Sequence, residues 1–262
     1  MKKNLCVFCV LFFVFANVFA EMPEQEIKSL SIGTTSGYAP YVSLNAQGEY
    51  EGFDIDVAEL LAKKLKCKLV LKDFGSMPSL MMALKQGRVD ALIWAISITR
   101  ERLKNMEMVY YQGKIETQMP FIFWKEVPSN LKSMEDFEKS SKKMICVEAG
   151  TWQEDVLKKS PNIPLKFLDK ITDVIMEIKY GKSLGAAVDP SLIPRLKSQF
   201  PEIKVLSLSL PLDEQSLGNG ICLSKANPQL AKEVEKAVKE LIEEGEIEKL
   251  EKKWKLTEES DL

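Results

Sequence analysis

From residue 29 the chain alternates short apolar runs with amphipathic stretches. Residues 29–33 read as a strand ending at Gly33. Asp54 and Asp56 open a helical pattern that places Val57, Leu60, Leu61 and Leu65 on one face. A strand at 67–71 and a short helix at 79–85, stopped by Gly87, follow. Residues 89–96 form an almost unbroken apolar run, which suits a parallel strand covered on both faces. The pattern then restarts. Strands are expected at 119–124 and 144–147, followed by Gly150 and a helix through Val156 and Leu157. Residues 184–188 repeat the role of 89–96. Repeated β-α-β units predict an α/β fold of two similar units, each a mixed, mostly parallel sheet flanked by helices.

The C-terminal region predicts two helices. Asn227-Pro228 supplies a cap and a first turn, and Leu230, Val234, Ala237, Val238 and Leu241 form one stripe. Gly245 interrupts, and Ile247, Leu250 and Trp254 begin a second stripe. The tail from Lys255 has no stripe and is expected to fray.

Residues 1–20 read as a cleavable export signal. Lys2 and Lys3 precede an apolar run at 5–15, too short to span a membrane, and Val18-Phe19-Ala20 suits cleavage after Ala20. Cys6 and Cys9 lie too early for a lipidation site, and an uncleaved anchor is the alternative. The mature chain is expected to be soluble and to reside in the periplasm, exported across the inner membrane.

Charge and composition narrow the chemistry. The formal net charge is −2, and removing Lys2 and Lys3 with the signal leaves −4. That mild balance gives no reason to expect nucleic acid or an anionic membrane as a partner. Histidine is absent, which removes the commonest general base and the usual Ser-His and Cys-His pairings. Cys67, Cys146 and Cys222 remain after the signal, each in an apolar setting, and read as buried thiols rather than a disulfide framework. No phosphate loop or metal cluster is present in the sequence, so no cofactor and no metal is expected.

Four polar loops follow strands, at 33–41, 95–102, 148–153 and 188–191. In open α/β sheets ligands bind beyond such strand ends. In the second loop, Ser97 can donate a hydroxyl and Arg102 can hold a carboxylate through two parallel hydrogen bonds. The competing reading makes Ser97 or Thr99 a helix cap and Arg102 a surface charge. Tyr38, beside Ala39-Pro40-Tyr41, could wall an apolar stem or simply pack in its loop.

Taken in order, several segments resemble the polar amino-acid solute-binding proteins, family 3, of ABC importers. They are Ile32-Gly-Thr-Thr-Ser-Gly-Tyr-Ala-Pro-Tyr41, Gly52-Phe-Asp-Ile-Asp-Val-Ala58, Ala83-Leu-Lys-Gln-Gly-Arg-Val-Asp-Ala91, Ser97-Ile-Thr99 with Arg102, Gly150-Thr-Trp-Gln-Glu154, Gly218-Asn-Gly220, and Glu243-Glu-Gly245 through Lys253-Trp254. Gly150-Thr-Trp-Gln-Glu154 and Gly181-Lys-Ser183, with Asp189-Pro-Ser191, look most like arginine-binding members from chlamydia-like bacteria. The resemblance implies a two-lobed type II periplasmic-binding-protein fold. Lobe 1 would hold residues 21–115 and 217–262 and lobe 2 residues 116–216, with crossover strands near 113–119 and 217–222.

It also implies a site. Arg102 would hold the ligand carboxylate, Ala95 and Ser97 would bond the same backbone groups, Thr151 would donate from lobe 2, and Tyr38 would form an aromatic wall. Asp189 would meet the ammonium, although it falls one place earlier than the family pattern. The second aromatic wall falls at Met77, with Phe74 as the nearby alternative. Thr35 stands where members that bind basic amino acids carry an aspartate, and Trp94 fills a slot that is usually small. Glu148 could restore a negative partner for a side chain, and Gln153 belongs to the same loop. The implied function is hinge closure around a free polar or basic amino acid and delivery to an ABC permease, by a monomer that is not an enzyme. The alternatives are another small zwitterion such as cystine, an opine or a dipeptide, a ligand-sensing module, or a dehydratase of the same fold.

Overall fold

The computed structural model describes residues 28–140 and 143–256. The expected signal at 1–20, with Cys6 and Cys9, and the end of the C-terminal tail lie outside the described residues. The chain runs β1 (Ser29–Thr34), a hairpin of β2 (Ser43–Leu44) and β3 (Tyr50–Glu51), α1 (Phe53–Lys64), β4 (Lys68–Asp73), α2 (Met77–Lys85), β5 (Ala91–Leu92), α3 (Arg100–Asn105) and β6 (Glu107–Gln112). It continues through β7 (Gln118–Trp124), α4 (Met134–Ser140), β8 (Ile145–Glu148), α5 (Trp152–Leu157), β9 (Leu165–Leu168), α6 (Ile171–Lys179), β10 (Gly185–Ala187), a 3-10 turn (Pro190–Leu192), α7 (Ile193–Gln199) and β11 (Ile203–Ser209). It closes with β12 (Asn219–Leu223), α8 (Pro228–Glu243) and α9 (Glu246–Lys253).

Two five-stranded sheets result, ordered β4-β1-β5-β12-β6 and β11-β7-β10-β8-β9. In the first, β1 pairs parallel with β4 and β5, while β12 runs antiparallel to β5 and β6. In the second, β8 pairs parallel with β9 and β10, while β7 runs antiparallel to β10 and β11. The two units therefore share one build, mixed but mostly parallel: four of the five strands in each sheet run one way, and only β12 or β7 is reversed. The reversed strand of each sheet is the one by which the chain enters it from the other sheet.

The long apolar runs are less strand-like than their composition predicts. Of residues 89–96 only Ala91 and Leu92 pair in the sheet, and of 184–188 only Gly185–Ala187 do. Ile93, Trp94, Ala95 and Ile96 are nonetheless buried. Burial on all sides, not strand pairing, explains their apolar character. The return crossover also comes earlier than expected, because β12 already belongs to the first sheet. Glu116 bridges to Ser216 at the crossing, and Leu217 and Gly220 bond back to Ile98 and Ile96.

The first core gathers Leu30 and Ile32 of β1, Leu61 of α1 and Leu80 of α2. The α8 stripe joins it, with Val234 and Leu241 almost fully buried, so the C-terminal helices pack on the first sheet. Asn227 caps α8 by accepting from the Leu230 N–H at 3.2 Å. Asp56 accepts from Lys253 and from the Trp254 indole, tying α9 to α1. Leu256 packs against the same core, so the tail that was expected to fray from Lys255 is held at least that far. The second core is aromatic, with Phe121 stacked on Phe137 at 4.6 Å between ring centroids. Cys146 and Cys222 are buried and Cys67 half-buried, all as free thiols.

Gly52 begins α1 where the chain must pass the Tyr41 carbonyl. Its φ is 137°, and a Cβ there would sit 2.0 Å from that oxygen. Gly52→Ala is expected to destabilise the fold by roughly 2–5 kcal/mol. Urea denaturation with an unchanged midpoint would show that the Tyr41 turn yields freely.

Candidate functional site

The loop after β5 forms one wall of a crevice between the sheets. Ala95 holds a left-handed φ of 44°, which places Trp94, Ala95 and Ser97 along the crevice. Asp54, in the first turn of α1, fixes that turn by accepting the Ala95 N–H at 2.7 Å and the Tyr111 hydroxyl at 2.6 Å. Burial pushes the Asp54 carboxyl up to about 7, against the pull of those two bonds. Thr99 caps α3 and accepts the Arg102 N–H at 3.2 Å. The helix turns the Arg102 side chain inward, where it is 7% exposed, while Arg100 faces solvent.

The guanidinium donates to the Ser97 carbonyl and, across the crevice, to the Gly150 carbonyl, both at 2.9 Å. Gly150 sits tightly on the opposite wall, since a Cβ there would lie 2.9 Å from Met77 Cγ. The two halves therefore touch in this structure.

The second wall comes from the ends of β8 and β10. Thr151 caps α5, donating its hydroxyl to the Glu148 carbonyl at 2.7 Å and accepting the Glu154 N–H. Glu154 reaches back to the Gly150 N–H at 2.5 Å, a close variant of a capping box. Asp189 caps the 3-10 turn after β10 and accepts from the backbone and hydroxyl of Ser191. Gln153 approaches Asp189, but its amide nitrogen completes no hydrogen bond.

Tyr38, Met77, Trp94, Ala95, Ser97, Arg102, Glu148, Thr151, Gln153 and Asp189 line this crevice of about 300 Å³. Thr35 and Phe74 do not. Thr35 is buried with its hydroxyl unpartnered, and Phe74 lies under the Arg88 guanidinium at 5.1 Å. Met77, rather than Phe74, thus lines the crevice together with Tyr38. The tilted pair Tyr38 and Trp94, 4.8 Å between centroids, narrows the crevice. Trp152 also lines it, with its indole donating to the Glu214 carbonyl at 2.6 Å. Sequence reading placed Trp152 only within a motif and Asp54 only at a helix start, because neither position reveals which way its side chain points.

The electrostatics are unbalanced. Burial, with Asp189 and Asp169 nearby, pushes the Glu148 carboxyl up to about 8. Burial also raises Asp189, partly offset by the hydrogen bonds from Ser191. Arg102 is held below its ordinary value by burial, opposed by Asp155, yet an arginine stays charged at neutral pH. One cation thus faces two acids across a buried space. The indole N–H of Trp94 and the amide of Gln153 add buried donors without acceptors. Buried unpaired polar groups carry a desolvation penalty that a bound polar molecule would relieve.

Known proteins share this arrangement of sequence and fold. The model of bacterial extracellular solute-binding proteins, family 3, matches residues 30–257. The probable ABC transporter arginine-binding protein ArtJ of Chlamydia trachomatis is 32% identical over 96% of this chain and 93% of its own length. Among solved structures, an ancestral arginine-binding protein bound to arginine superposes with a TM-score of 0.75 at 25% identity, over 87% of this chain and 99% of that one. The ancestral amino-acid-binding protein AncCDT-1, a precursor of cyclohexadienyl dehydratase, shares the fold with a TM-score of 0.73 at 24% identity, over 86% of this chain and 95% of that one. With nearly all of its described length matched, this chain belongs to the family 3 bacterial extracellular solute-binding proteins.

Proposed function

We propose that this protein captures a free polar or basic amino acid between its lobes, cationic ones best, and delivers it to the permease of an ABC importer from the periplasm. The observation that carries this reading is the placement of Arg102 on one wall and of Glu148 and Asp189 on the other. A zwitterion buried without partners would pay several kcal/mol for each charge. Arg102, Ser97 and Thr151 would take the carboxylate, with Arg102 exchanging its carbonyl partners for the stronger charged one. Asp189 would take the ammonium. Glu148 would then meet the side chain, flanked by Tyr38, Trp94 and Met77. A cationic side chain balances the second acid, whereas a neutral one leaves it uncompensated.

The partners are split between walls, so a ligand that engages both favours the closed state. Periplasmic binding proteins as a class close by such hinge motion around their ligands. We assign lobe 1 to residues 21–115 and 217–262 and lobe 2 to residues 116–216. The protein acts as a monomer without catalysis and without nucleic acid. A second reading has one observation in its favour: Glu148, with its carboxyl up to about 8, could act as a general acid. Turnover of prephenate-like acids would replace the receptor reading with a dehydratase.

Calorimetry against free amino acids tests the proposal. Arginine or lysine should bind more tightly than neutral amino acids, and binding of none of them would overturn it. Arg102→Lys should weaken the best ligand by about tenfold or more, since the planar fork is lost while the charge stays. Unchanged affinity would remove Arg102 from the carboxylate site.

A pH prediction follows from Glu148. Its folded value lies above its ordinary 4.5, so its stabilising contribution is present below about pH 4.5 and is lost as pH rises through about 8. Unliganded stability should fall across that window, with a flatter profile in Glu148→Gln. Near pH 7, arginine should drive a proton off Glu148 on binding. Calorimetry in buffers of different ionisation enthalpy should detect that release in the parent protein and lose it in Glu148→Gln.

A further inference from the structure

A second contact joins the two halves away from the crevice. Arg195 of α7 extends from the second unit and donates through Nη1 to the Ala39 carbonyl, in the loop after β1, at 2.5 Å. Arg195 does not line the crevice described above. Its surroundings differ from those of Gly150. There the opposed backbone and side chains are packed to contact. Beneath Arg195, by contrast, a mainly apolar cavity lies between Gly37 on one side and Ile175, Leu196 and Phe200 on the other. A Cβ added at Gly37 would meet nothing within 4 Å. At this rim the halves face each other across a gap, and the Arg195 hydrogen bond spans it.

We propose that Arg195 is a rim latch that sets ligand affinity by stabilising the closed arrangement of the lobes, without touching the ligand. The proposal rests on the capture-by-closure reading above. The two cross-lobe guanidinium bonds differ in what a ligand does to them. Arg102 is placed to exchange its Gly150 partner for an incoming carboxylate, so that bond is replaced when the site fills. The Arg195 bond lies outside the crevice and is the same in either case. It therefore weights closed over open by a constant factor. When only one conformer binds, the apparent affinity scales with the fraction in that conformer, whatever the ligand. A charged donor on a backbone carbonyl at an exposed rim corresponds to about a three- to tenfold change in that weighting.

The test compares Arg195→Ala and Arg195→Lys with the parent protein by calorimetry against arginine, lysine and glutamine, with stopped-flow dissociation. Arg195 is exposed, and circular dichroism checks that each variant keeps its fold. Arg195→Ala should weaken every ligand that the parent binds by the same factor, about three- to tenfold, mainly through faster release. Arg195→Lys should fall between the two. Unchanged affinities would overturn the latch. So would a loss confined to one ligand, since that would make Arg195 part of side-chain recognition. If the parent binds none of these amino acids, the proposed function fails, and ligand-free small-angle scattering decides the latch by itself. A larger radius of gyration in Arg195→Ala would then support it, and identical curves would overturn it.

Discussion

Opposite charges held on facing walls govern this molecule. A buried guanidinium at position 102 faces a buried carboxyl at position 148 and a half-buried one at position 189. Each has been taken out of water, and burial of an ion is unfavourable unless a partner replaces the lost hydration. The protein's interim answer is visible. Arg102 leans on two backbone carbonyls, Asp189 on a neighbouring serine, and Glu148 on a shift toward its neutral form. On the proposed reading, a molecule carrying its own two opposite charges supplies what these groups lack.

The rest of the fold serves that confrontation. Both sheets use the same strand pattern, so each ends in loops aimed at the same crevice. Each loop is then pinned by capping and backbone bonds. Thr99 and Thr151 start the helices that aim Arg102 and place Gly150, and Asp54 holds the left-handed turn at Ala95. The short strands β5 and β10 let the chain leave the sheet early, which frees Trp94, Ala95, Ser97 and Asp189 to line the crevice. The long apolar runs are thus core and site wall at once.

Contact between the halves is uneven. Gly150 is packed against Met77 and Pro78, whereas the rim near Gly37 leaves a cavity under Arg195. Tight packing gives a defined end point for closure, and loose packing leaves closure shallow enough to reverse. A receptor that must release its cargo needs both.

Much of this was legible from the chain alone. Helical stripes announced α1 and α8 because burial selects residues at the helix period. Gly87, Gly245 and Asn227 marked ends and starts because few residues tolerate those conformations or offer those caps. Ordered motifs pointed to Arg102, Ser97, Thr151 and Asp189. The sequence could not distinguish a buried run that pairs in a sheet from one that is simply enclosed, so residues 89–96 read as one strand. Nor could it tell Met77 from Phe74, or reveal Trp152 as part of the crevice and Asp54 as the support behind Ala95, because side-chain direction depends on where α2, α5 and α1 dock. Local residue choice determined which groups could carry charge and where helices begin. Only tertiary packing decided which of those groups face one another, because hydrogen bonding and Coulomb attraction act over a few ångströms that chain separation does not record.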